Sequence, residues 1–160
     1  MKPIKPMLLL SAIALMLSLG NAYAATQNGC VDRAMQNYFN FIVTVHRNYN
    51  GQSLSNDKKS DLQRQRYLML NRQNLSGCPV SFKDAHRNLV YAVKSYWDEG
   101  SIRSMPGGSI PLWGVTDEEY QRTKKQLQNE EARYVDAATP YLQDPSPELR
   151  RLLNTIDRLF

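Results

Sequence analysis

Only two cysteines occur in the 160 residues, Cys30 and Cys78, and each stands at the head of a segment with helical apolar spacing. A bond between them would hold two helix starts together and make those helices run parallel. Whether it forms depends on compartment, because disulfides persist in oxidising surroundings and are rare in the cytosol. The N-terminus speaks to that. Lys2 and Lys5 make a short positive n-region, residues 7–19 are an apolar run, and Ala22-Tyr23-Ala24 is a small-x-small cleavage site. That order predicts a secretory signal peptide over 1–24, cleaved before Ala25. The apolar run is shorter than the roughly 20 residues a membrane-spanning helix needs, and no later segment is both long and apolar enough. The mature chain is therefore expected in the periplasm or secreted, with no transmembrane segment. In that setting an even pair of cysteines reads as one disulfide. A redox or metal role would favour the short C-x-x-C spacing, which is absent.

Cleavage leaves about 136 residues, one ordinary domain able to bury a core. Lys2 and Lys5 leave with the signal, so the formal charge of +5 falls by two, to about +3. Charges of both signs alternate along the chain, as from Asp117 through Arg122, Lys124 and Glu130 to Arg133. Such mixing marks a solvated helical face. Nucleic-acid binding needs a clustered basic stripe, and the sequence shows none.

Apolar residues recur with helical periodicity from Val31 onward. Val31, Met35, Tyr38, Ile42, Val45 and Tyr49 step by four and three, one stripe of an amphipathic helix. Asn50-Gly51 stops it. A second helix is expected from about 56 to about 73, with Leu62, Leu68, Met69 and Leu70 as its weaker apolar content. Gly77 and Pro79 mark a connection, and Ser81 with Asp84 resembles the cap of a third helix. That helix carries Phe82, Ala85, Leu89, Val93 and Tyr96, and Gly100 is expected to end it. Thr116-Asp-Glu-Glu119 predicts a capping box for a fourth helix reaching about 138, with Tyr120, Leu127, Tyr134 and Ala138 inward. Ser146-Pro147 opens a last helix with Leu149, Leu152, Leu153 and Ile156. The expected fold is all-α: a single domain over 25–160, an up-down bundle of four main helices plus a short C-terminal helix, stapled by one disulfide.

Catalytic motifs are absent. The sequence holds no G-x-S-x-G, no H-E-x-x-H and no phosphate loop. The adjacent acids Glu118-Glu119 are explained by the favourable field at a helix N-terminus. At about 1.5 Å per residue, His46 lies roughly 22 Å along helix one and His86 about 8 Å along helix three. In parallel helices they cannot share a metal or a haem, and C-x-x-C-H is missing. No metal and no cofactor are expected, nor an enzyme; His46 would be the one acid–base candidate.

The segment 100–115 asks for explanation, since loops of about 12–15 residues are uncommon in compact domains. It carries Ile102, Met105, Ile110, Leu112 and Trp113. Bundle topology puts it at the end that holds His46, Arg47 and Tyr49 of helix one and Trp97 of helix three. Aromatics, Met and Arg together make binding hot spots. The leading expectation is an interaction protein of the cell envelope, of immunity, inhibitor or chaperone type. Met105, Ile110, Trp113, Trp97, Tyr49, Arg47 and His46 would touch its protein partner. The alternative is a small-ligand carrier or sensor with a pocket at this bundle end. A simpler role for Trp113 and Ile110 is to plug the end of the core.

Overall fold

A computed structural model describes the backbone of residues 6–104 and 115–158, with side chains over 26–102 and 115–158. The chain forms α1 (Pro6–Tyr49), α2 (Asn56–Asn71), α3 (Val80–Ser104) and α4 (Asp117–Ala138), then a 3-10 turn (Thr139–Tyr141) and α5 (Pro147–Ile156). No strand occurs among the described residues. The all-α bundle with one disulfide is the observed fold: Cys30 and Cys78 are bonded, with their Cα atoms 5.2 Å apart.

Each start and stop has a local cause. Gly51 and Gly77 take φ of +73° and +80°, the left-handed geometry that turns the chain after α1 and before α3. Ser55 caps α2 by accepting from the Lys58 amide at 3.2 Å. Thr116 and Glu119 form the full reciprocal capping box of α4. Ser146 caps α5, and it is also tied to α1. Its amide and hydroxyl donate to the two carboxylate oxygens of Asp32, each at 2.8 Å. That link lays α5 on α1, where Leu149 is buried and Leu152, Leu153 and Ile156 pack partly against the core.

Four boundaries and faces differ from expectation. Helix one does not begin at Val31. Cys30 lies inside α1, because Gly29 immediately before it does not stop the helix, and one glycine costs only about 1 kcal/mol. Ser81 is not the cap of α3; the helix starts at Val80, and the Lys83 amide donates to the Pro79 carbonyl at 3.0 Å. Gly100 does not end α3, which runs on to Ser104. Bonds to neighbouring helices hold this last turn, the Ser101 hydroxyl pairing with Ser60 at 2.8 Å and Glu99 accepting from Thr123. The buried face of α2 is Leu62, Arg66 and Leu70, with Met69 packed partly against the core. Steps of four keep those three residues on one side, and the middle one is charged.

The core is built on α3. Phe82, Leu89 and Val93 are fully buried, against Met35 and Tyr38 of α1, Leu70 of α2 and Leu127, Tyr134 and Ala138 of α4. Tyr134 is its hub, with ring centroids 5.0 Å from Phe82 and 5.3 Å from Tyr38. α3 packs closely along both α2 and α4, whereas α1 meets α2 only sparsely. α1 is held by the disulfide at Cys30, by α5 and by Tyr38, and beyond Tyr38 its inward face continues through Phe39, Ile42 and Val43.

Candidate functional site

A cavity of about 610 Å³ lies at one end of the bundle. Its lining joins the C-terminal part of α1, the N-terminal half of α2, Tyr96, Trp97 and Gly100 of α3, and Tyr120 at the start of α4. An alternating up-down order brings these four ends to one place. The α1 wall is apolar: Phe41, Ile42 and Val45, followed by His46. The α2 wall is polar and cationic: Asn56, Lys59, Ser60, Gln63 and Arg66, spaced by three and four so that they share one face. Leu54 and Leu62 add apolar surface at its edges.

Arg66 is the structural key. It is 8 % exposed, and its Nη2 donates to the Tyr38 hydroxyl at 2.8 Å and to Glu131 of α4. Its guanidinium lies 5.4 Å from the Tyr38 ring centroid, within cation–π reach. One side chain of α2 thus ties α1 to α4. Burial drives the Tyr38 hydroxyl up to about 12, against the lowering influence of Arg66. Tyr38 therefore stays neutral and serves as a hydrogen-bonding strut.

Two buried polar atoms on lining residues have no hydrogen-bond partner among the described residues: the Nε of Arg66, a donor, and the Oε1 of Gln63, an acceptor. Buried polar groups are normally paired, since leaving one unpaired costs roughly 1–3 kcal/mol. At the far side Tyr96 and Tyr120 stack with centroids 5.2 Å apart and share a hydrogen bond of 2.7 Å between hydroxyls. Burial and that bond raise the Tyr96 pKa. Trp97 is braced from behind by Tyr67, whose ring stacks on it at 5.8 Å.

Of the residues expected to bind a partner, His46 and Trp97 come together at this cavity. Tyr49 lies beneath the Lys58 ammonium at 5.2 Å, and Arg47 is exposed; neither lines the cavity. Met105, Ile110 and Trp113 lie outside the described residues. His86 is not near His46. It is buried in the core beside Tyr134 and bonded to the Leu70 backbone. Among the described residues no group of three or more His, Cys, Asp or Glu could hold a metal ion, and no helix is long and apolar enough to cross a membrane.

Sequence reading missed Arg66, Gln63, Lys59 and Ser60. The signal was present: Leu62, Arg66 and Leu70 recur at four-residue steps, so an inward-facing stripe had to contain the arginine. The chain matches no protein-family model, and comparison with curated proteins and with solved structures returns no match.

Proposed function

We propose that this protein is an exported carrier or sensor that binds a small molecule in the cavity between the C-terminal half of α1 and the N-terminal half of α2. The observation that carries this reading is the cavity itself, with an unpaired buried donor and acceptor on its lining residues. Small-molecule sites are concave, about 300–1,000 Å³, mostly apolar, and carry a few placed polar groups. Export through a signal peptide cleaved before Ala25 fits the Cys30–Cys78 bond, which suits the periplasm or the exterior. N-terminal sequencing of the secreted product tests that part, and an unprocessed chain in the cytosol would refute it.

The test of binding is titration of the oxidised mature protein with a neutral apolar fluorophore, N-phenyl-1-naphthylamine. One saturable site is expected, with a change in Trp97 emission, and substitution Ile42→Asn should abolish it while leaving the helical circular dichroism intact. No saturable binding to well-folded protein would refute the reading. Ile102 and Arg47, both exposed, support a second reading in which a protein of the cell envelope docks near this end. Alanine at both positions would then abolish association with that protein and leave fluorophore binding unchanged.

A further inference from the structure

The two long walls of the cavity differ in chemistry, and that difference selects a ligand. Phe41, Ile42 and Val45 give α1 an apolar turn that ends at His46, whereas α2 offers Asn56, Lys59 and Gln63, beside a Ser60 already paired with Ser101. A uniformly apolar molecule would leave the Oε1 of Gln63 without a partner among the described residues, and a uniformly polar one would strand the α1 wall. No carboxylate is among the described lining residues. The charge of Arg66 is balanced by Glu131, whereas Lys59, on the same wall, makes no ion pair with a described residue. Asp61 is held instead by Lys58 and Arg64. Among the described residues Lys59 therefore stands exposed at the rim of the cavity as an unpaired cation, one turn from the apolar Leu62.

We propose that the cavity takes an anionic amphiphile, a single carboxylate on an unbranched apolar chain. The head sits at Lys59 and Ser60, and the tail lies between the α1 wall and Leu62 and Trp97. This rests on the reading of the cavity as a ligand site. A cationic head would meet Lys59 with like charge, and a neutral head would leave it uncompensated. Lys59 is at the rim, so its attraction is screened and modest, and the tail carries most of the affinity. Each methylene removed should weaken binding about fourfold.

The experiment is displacement of bound N-phenyl-1-naphthylamine by decanoate, decanol and decylamine below their micellar concentrations, at about pH 8, where the acid is ionised and the amine protonated. Decanoate should compete best, octanoate about fifteenfold more weakly, and decylamine worst. Lys59→Gln, an exposed change that spares the fold, should weaken decanoate about three- to fivefold and leave decanol unchanged. Equal competition by decanoate and decanol, or an unaltered decanoate affinity in Lys59→Gln, would overturn the anionic head while the cavity still binds. Failure of all three to displace a bound fluorophore would overturn the amphiphile. A fluorophore that never binds would remove the ligand site itself, and this inference with it.

Discussion

Acid should destabilise this protein through one residue, His86. The side chain is 6 % exposed and meets the Tyr134 ring at 5.7 Å, with its Nε2 unpartnered among the described residues. Burial lowers its pKa from 6.5 to about 4, opposed only by the bond to the Leu70 backbone. The folded value lies below the unfolded one, so the unfolded chain takes up the proton first as pH falls. The stabilisation is complete above about pH 6.5 and is lost progressively down to about pH 4. At about 1.4 kcal/mol per pH unit of separation, the loss is about 2 kcal/mol by pH 5 and about 3 kcal/mol by pH 4. Urea unfolding followed by circular dichroism reads this directly. With a slope of about 2 kcal/mol per molar, the midpoint should drop by about 1 M between pH 7.5 and 5. Carboxylates also titrate in this range, so the comparison is with His86→Phe, which keeps a ring against Tyr134 but binds no proton. The variant should lose most of the drop. An equal pH dependence in both proteins, or a measured His86 pKa near 6.5 by NMR, would refute the reasoning.

The remaining predictions concern the staple, the strut and the helix end. Reduction of Cys30–Cys78, which closes a span of 48 residues, should cost about 4 kcal/mol on the chain-entropy model and lower the melting temperature by about 10 °C with helicity retained at low temperature; an unchanged melting curve would count against it. Glu131→Gln leaves Arg66 buried without its counter-charge. A buried pair so broken costs about 3–5 kcal/mol, but the Glu131 side chain is 31 % exposed, so a loss of about 2 kcal/mol is expected in denaturant unfolding. Gly100→Ala should stabilise by about 0.5–1 kcal/mol, since the added Cβ would meet nothing within 4 Å among the described residues; destabilisation would count against a helical α3 through this position.

Much of the architecture was legible along the chain, because helix caps and apolar periodicity are local. Thr116 with Glu119, Ser146 before Pro147, and Asn50-Gly51 each announced a boundary that the fold keeps. The two cysteines, read with that periodicity, set which helices lie side by side, although Cys30 sits within α1 and not at its start. Local signals failed where a tertiary contact outweighed a propensity. Gly100 reads as a stop, yet Thr123 and Ser60, on two other helices, hold the residues on either side of it, Glu99 and Ser101. Arg66 reads as a surface residue, yet Tyr38 and Glu131 give it partners that make burial tolerable. The alternative expectation of a pocket at the bundle end beside His46 and Trp97 came from the sequence, but the α2 wall of the cavity did not. The stripe on α1 shows that Ile42 and Val45 face inward, but not that they line a space opposite a polar face of α2. Periodicity determines which face of each helix turns inward; only the packed structure decides whether that face finds another helix or an empty space.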